Sequence, residues 1–163
     1  MSSVSSYRTG QGWDVHRTHP GRRLILGGVR IEADFGLEGH SDADVLSHAI
    51  TDAILGAAAL GDIGMHFPDT DPRWRGADSL QFLRHARELI GQRGYRILNI
   101  DATVILERPK LKGYRQAIRE RLAETLELPL EAVSVKFKTA EGLGPVGEGH
   151  SAEAQAVVTL APA

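Results

Sequence analysis

Residues 45–61, VLSHAITDAILGAAALG, constrain this chain more than any other stretch. Val45, Ala49, Ala53 and the pair Ile54-Leu55 recur at helical spacing, which predicts a helix from about Asp42 to Leu60 with one face in the core. Its second half, AILGAAALG, is too apolar for a surface helix, so the element belongs inside the fold. Yet Asp44, His48 and Asp52 stand at i, i+4 and i+8 and form one polar stripe along it. Two readings stand at this level. One is a solvated face of intrahelical His–Asp pairs. The other is a buried stripe that must find partners, which a metal on His48, with a carboxylate orienting its other ring nitrogen, would supply.

The helix needs partners of its own, and the flanking segments provide them. LILGGVRIE, residues 24–32, reads as two short strands around Gly27-Gly28, with Tyr7 to His16 as a strand feeding that hairpin. Ser41 followed by Asp44 resembles a capping box with Asp in place of Glu. That places His40 and Ser41 at a helix entrance, where backbone N–H groups and the dipole favour a phosphate. A turn-rich loop follows over residues 61–78, then an amphipathic helix from Ser79 to about Gln92, stopped by Gly94. Leu98, Ile100, Ala102, Val104 and Leu106 alternate with polar residues as one strand. A helix from Tyr114 to about Leu128, a strand over residues 133–137, the loop EGLGPVGEG and a last strand from Ala152 to Leu160 complete the order. The fold class is α+β: a single domain over residues 1–163, with a mixed β-sheet and helices packed on one face. Residues 1–8 are expected to be a short flexible tail.

Composition removes several functions. The chain has no cysteine, so disulfides, thiolate zinc sites and Cys nucleophiles are excluded, and any metal is held by nitrogen and oxygen. Lys and Arg number 19 against 21 Asp and Glu, which is not the basic footprint of a nucleic-acid binder. No apolar run reaches the roughly 20 residues of a membrane span. The opening MSSVSSYRTG has no hydrophobic core of a secretory signal, so a cytoplasmic location is expected.

Three further groups could carry chemistry. Asp14-Val15-His16 sets a carboxylate and an imidazole two residues apart, on one side of an extended segment; a chance pair on a strand is the competing reading. In GDIGMHFPDTD, residues 61–71, Asp69 and Asp71 suit turns or caps, whereas Asp62 between glycines is less easily explained that way. Thr139 and Glu141 stand just past a strand end, where binding groups often sit.

Taken together, these pieces carry a resemblance. GWDVH at 12–16, GGVRI at 27–31, GHSDADV at 39–45, HAITDAILGAAALGDIG at 48–64, FPDTDP at 67–72, RPKL at 108–111 and FKTAEGL at 137–143 resemble the 2-C-methyl-D-erythritol 2,4-cyclodiphosphate synthase family, from about Gly12 to Val158. The resemblance implies a lyase of non-mevalonate isoprenoid (terpenoid) biosynthesis. Such an enzyme cyclises 4-diphosphocytidyl-2-C-methyl-D-erythritol 2-phosphate to the 2,4-cyclodiphosphate and releases CMP. It implies a homotrimer with active sites between subunits, and no nucleic-acid or membrane partner. By the same resemblance Asp14, His16 and His48 would hold one zinc ion per subunit. Glu141 would hold a second divalent ion, Mg²⁺ or Mn²⁺, with the substrate diphosphate. His40 and Ser41 would lie near the phosphates, and Asp62, Ile63 and Gly64 at the methylerythritol hydroxyls. Phe67, Pro68, Asp69, Thr70 and Asp71 would flank the cleft. The segment from Leu106 to Lys112, with Pro109, Lys110 and Leu111, would form the cytidine pocket. Lys138 and Thr139 would also bind the substrate, and Thr139 and His40 match positions assigned to transition-state stabilisation.

One departure stands out. Family members commonly carry an Arg before Gly-Glu-Gly, in a loop that lies near the trimer axis and can bind an isoprenoid diphosphate; GLGPVGEG at 142–149 lacks that Arg and is two residues shorter. Two other functions fit the same clusters: a zinc-dependent phosphate-ester hydrolase using water, and a non-enzymatic metal-stabilised trimer that binds an isoprenoid diphosphate.

Overall fold

A computed structural model of the chain describes residues 6–163. Its strands are β1 (Arg8–His19), β2 (Leu24–Leu26), β3 (Val29–Ile31), β4 (Gly36–Leu37), β5 (Tyr95–Ile105), β6 (Val133–Lys138) and β7 (Ser151–Pro162). The helices are α1 (Val45–Ala57), α2 (Ile63–His66), α3 (Leu80–Gln92), α4 (Arg115–Leu126) and α5 (Gly144–Gly147). Five strands make one sheet in the order β4-β1-β7-β5-β6, in which β5 and β6 are parallel and the other neighbours antiparallel. β2 and β3 form a separate hairpin. This is a single α+β domain with a mixed sheet.

Alternation decides which face of the sheet is covered. Along β7, Ala152, Ala154, Ala156, Val158 and Leu160 are buried while Gln155 and Val157 are exposed, the pattern of a sheet packed on one side only. On that side α1 lies across β1 and β7, α3 packs on α1 and β5, and α4 packs on β6. The apolar reading of the 45–61 helix holds: nearly every residue of α1 is buried. It sits directly on β1 because β1 carries glycine there. A methyl group on Gly10 or Gly12 would run into the backbone of Ala53 or Ala49.

Several boundaries differ from the expectations, each for a local reason. β1 is an inner strand of the main sheet, paired with β7 and β4, and does not feed the β2–β3 hairpin. Of the expected tail, residues 1–5 lie outside the described residues, and Arg8 is already paired with Leu160. α1 starts at Val45, capped by Asp44 rather than Ser41, since the Asp44 carboxylate accepts from Ser47 N–H. Leu98 is 41% exposed because a bulge between Ile97 and Asn99 turns it outward and puts Ile97 in the core instead. The 61–78 and 142–149 loops hold the short helices α2 and α5.

Candidate metal centre and active site

Asp14 and His16 project from the same side of β1, and His48 comes down from α1 to meet them. Asp14 Oδ2 lies 2.9 Å from His16 Nε2 and 3.0 Å from His48 Nδ1, and the two ring nitrogens are 3.1 Å apart. Among the described residues this is the one cluster of three or more such side chains with its ligand atoms within 4.8 Å of one another. The far sides of both rings determine what the near sides offer. His16 Nδ1–H donates to Glu38 O at 2.6 Å, which leaves Nε2 with its lone pair. His48 Nε2–H donates to Ser79 Oγ at 2.8 Å, and Ser79 in turn donates to the Asp42 carboxylate, so His48 Nδ1 also presents a lone pair. With both rings neutral, two imidazole lone pairs and a carboxylate oxygen thus converge on one point, an arrangement relieved by a metal ion or by a proton on one of the rings. Ligands about 2.0–2.1 Å from a tetrahedral divalent ion stand roughly 3.3 Å apart, close to the spacing found. The residues fit a metal ion.

Electrostatics at the cluster follow the same geometry. Burial opposes the Asp14 carboxylate, but hydrogen bonds and charge from His16 and His48 outweigh it and hold its pKa at about 2. His16 is also penalised by burial in its charged form, yet the hydrogen bond and charge of Asp14 raise its pKa above the ordinary value.

The polar stripe of α1 divides its labour. Only His48 joins the cluster. Asp44 is fully buried and accepts from the N–H groups of Gly27 and Gly28 as well as from Ser47, tying the β2–β3 hairpin to α1. Asp52 accepts from Ile63 N–H at 2.7 Å and so seats α2. The carboxylate expected on the other ring nitrogen of His48 does not bond it; Ser79 stands there instead and links the ring to Asp42. The first turn of α1 is filled by Asp44, so a helix terminus does not explain an anion site at His40 and Ser41.

A cavity of about 440 Å³ opens beside the three ligands. His40, Ser41, Ile63, Gly64 and Phe67 reach its wall, as do Pro68 and Asp69. Asp62, Thr70 and Asp71 do not: Asp62 caps α2 through Met65 N–H, and Asp71 pairs with Arg73 at 2.6 Å. Trp74 and Phe82 complete an aromatic wall that the sequence reading missed; Phe67 meets Trp74 edge-on at 5.1 Å. The indole Nε1 of Trp74 is buried without a hydrogen-bond partner among the described residues.

A second pocket of about 300 Å³ gathers Leu106, Pro109, Lys110 and Leu111 with Lys138 and Thr139. Lys112 and Arg115 add to its positive rim. Phe137 in its wall stands level with Asp14 along the row Asp14–Ala154–Val104–Phe137. Three strand spacings put the two sites of one chain roughly 14 Å apart. Glu141 lines neither pocket; its loop is held by Glu107, whose carboxylate accepts from Ala140 and Gly142 N–H at 3.0 and 3.2 Å. Glu107, Ser79 and Asp42 were invisible as functional residues in the sequence, where each passes for an ordinary surface or cap position.

Comparison with known proteins gives the family. The family model described as the YgbB family matches residues 7–161. A 2-C-methyl-D-erythritol 2,4-cyclodiphosphate synthase of Solibacter usitatus is 75% identical, over 96% of this chain and 99% of that protein. A solved 2C-methyl-D-erythritol-2,4-cyclodiphosphate synthase in a CDP-bound form superposes with TM-score 0.87 at 45% identity, over 94% of this chain and 100% of that one. The bifunctional IspDF of Campylobacter jejuni superposes with TM-score 0.94 at 42% identity; this chain covers 43% of it. No helix among the described residues is long and apolar enough to cross a membrane. The chain belongs to the YgbB family, among the 2-C-methyl-D-erythritol 2,4-cyclodiphosphate synthases.

Proposed function

We propose that this chain converts 4-diphosphocytidyl-2-C-methyl-D-erythritol 2-phosphate to 2-C-methyl-D-erythritol 2,4-cyclodiphosphate and CMP, in non-mevalonate isoprenoid biosynthesis. The observation that carries the reading is the convergence of Asp14, His16 and His48 at one end of a cavity bounded by His40 and Ser41. In this reading Asp14, His16 and His48 hold zinc, and Glu141 holds Mg²⁺ or Mn²⁺ with the diphosphate. A metal ion held by these three side chains would supply Lewis-acid polarisation of a phosphate oxygen.

The remaining work falls to the chain. Two anionic phosphates of one molecule must meet in line, so catalysis is alignment and charge neutralisation. His40 and Ser41 receive the phosphates, and Ile63 and Gly64 in the cavity wall orient the hydroxyls of the methylerythritol, with Asp62 at the adjoining cap of α2 reaching them through the carboxylate oxygen that does not bind Met65 N–H. Phe67, Trp74 and Phe82 wall the cavity with apolar surface, which keeps water from competing with the internal phosphate. Lys110 and Lys138 balance the charge of the nucleotide, with Leu106, Pro109 and Leu111 against its base. Thr139 of one copy and His40 of a neighbouring copy donate to charge that develops as the bond to CMP breaks, since the two pockets of one chain lie apart. No protein nucleophile is required.

A homotrimer belongs to the same reading. The uncovered sheet face exposes Trp13 (49%), Val15 (38%) and Val157 (43%), an apolar patch suited to contact between copies of the chain. The deciding experiment incubates the zinc-loaded protein with the CDP-methylerythritol 2-phosphate. Equimolar CMP and cyclic diphosphate are expected. In ¹⁸O-water the product should carry no label, and incorporation would replace the cyclase with a hydrolase.

A further inference from the structure

The cavity beside Asp14, His16 and His48 is bounded on one side by Gly39, His40 and Ser41, and every carbonyl of that segment is engaged. Arg22 donates from Nη1 to Gly39 O at 2.6 Å and from Nη2 to Ser41 O at 2.7 Å, while Gly76 N–H donates to His40 O at 2.7 Å. The amides differ. Among the described residues, the N–H groups of His40 and Ser41 have no hydrogen-bond partner. A trans peptide is planar, with its C=O and the following N–H pointing in opposite directions. With the Gly39 carbonyl turned to Arg22, the His40 N–H points away from Arg22. With the His40 carbonyl held by Gly76, the Ser41 N–H points away from the turn that carries Gly76. Arg22 is not part of the cavity wall, so it grips the segment from behind.

We propose that Arg22 is the positioning residue of an anion subsite formed by the His40 and Ser41 backbone N–H groups, and that the anion is a phosphate group of the substrate. The proposal rests on the phosphorylated-substrate reading above. A guanidinium is suited to the task because its planar fork reaches two acceptors at once, whereas an ammonium is a point donor on a flexible stem. Without the fork, the 39–40 peptide, which carries the His40 N–H, loses what fixes its orientation, and the 41–42 peptide keeps only the bond from Asp42 N–H to Ala77 O. A peptide that turned over would aim a carbonyl oxygen at the phosphate. Arg22 also contributes a positive charge behind the subsite. It acts through the loop and is not itself at the reacting atoms.

The test uses the full-length zinc-loaded protein with Arg22→Met and Arg22→Lys. Three quantities are read: KM and kcat for the CDP-methylerythritol 2-phosphate, the dissociation constant of inorganic phosphate by calorimetry, and zinc content. Arg22→Met should raise both KM and the phosphate dissociation constant at least tenfold, with zinc content and cytidine affinity unchanged. Arg22→Lys should recover only part of the loss, since charge returns without the two-point grip. A purely structural Arg22 would lower the melting temperature and leave both constants at their starting values, which overturns the proposal. If Arg22→Met does not fold, Arg22→Lys decides: phosphate binding at least threefold weaker supports the subsite, and unchanged binding overturns it. Failure of the unaltered protein to turn over substrate would instead count against the proposed reaction, and the phosphate titration would still test Arg22.

Discussion

His48 is held at both ends of its ring, and the two ends do different things. Nδ1 faces Asp14 and His16, while Nε2 donates into Ser79 and, through it, Asp42. Replacing His48 with Ala removes one of three ligands and should abolish tight zinc binding and nearly all turnover; elemental analysis finding one zinc per chain in that variant would contradict the ligand set. Ser79→Ala keeps all three ligands and leaves His48 Nε2 with only the longer contact to Ser41 Oγ, at 3.2 Å. Loss of such an outer partner typically weakens metal binding about 10–100-fold, measurable by competition with a chromogenic chelator, and an unchanged affinity would show that Ser79 is only packing. The sequence makes these residues unequally visible. Asp14 and His16 are two apart on a strand, so their common direction follows from the period of the backbone. Ser79 lies 31 residues from His48 and directly before a helix, where a serine is expected as a cap; it makes no side-chain cap bond there. Only the docking of α3 beside α1 reveals its use.

At the level of elements, the metal site depends on how closely α1 approaches β1. Gly12 leaves no room for a methyl group between the strand and the Ala49 carbonyl, so Gly12→Ala must push the two apart. Overpacking of this kind costs about 1–3 kcal/mol, roughly 3–10 °C in Tm for a domain of this size. Because the displaced helix carries His48, calorimetric zinc affinity should fall together with Tm; a destabilised variant with intact zinc affinity would separate the two. The edge strand β6 is managed differently. Arg115 and Arg119 on α4 donate to the carbonyls of Val135 and Val133, occupying acceptors that would otherwise invite another strand. Helix periodicity and strand alternation were readable because α3 and β7 each bury one continuous face, while α1 was legible from being apolar nearly all round. The bulge at Leu98 was not, since an inserted residue leaves composition unchanged and only shifts which side chain points inward. The separation of β1 from the β2–β3 hairpin was equally hidden, as pairing with β7 joins residues about 140 positions apart.

For the whole molecule, one sheet face is covered by helices and the other presents Trp13, Val15 and Val157. If copies of the chain close over that face, Trp13→Glu should turn a trimer into smaller species in light scattering, and a trimer undisturbed by the buried carboxylate would place the contact elsewhere. The 142–149 segment folds as α5 with Glu148 near His150 at 3.4 Å and offers no arginine. Guanidinium contacts to a diphosphate have no substitute in that segment. Calorimetry with farnesyl diphosphate should therefore show binding weaker than low micromolar, and tight binding would mean that another basic residue has taken the role. The close seating of α1 on β1 has a broader consequence. The geometry of the Asp14–His16–His48 cluster is set by backbone meeting backbone, not by the shapes of the surrounding side chains, and is thereby insulated from most drift in the core. Ile50, Ile54 and Leu55 can be exchanged for other aliphatic residues over evolutionary time at a cost in stability alone, while Gly10 and Gly12 leave the lineage almost no freedom.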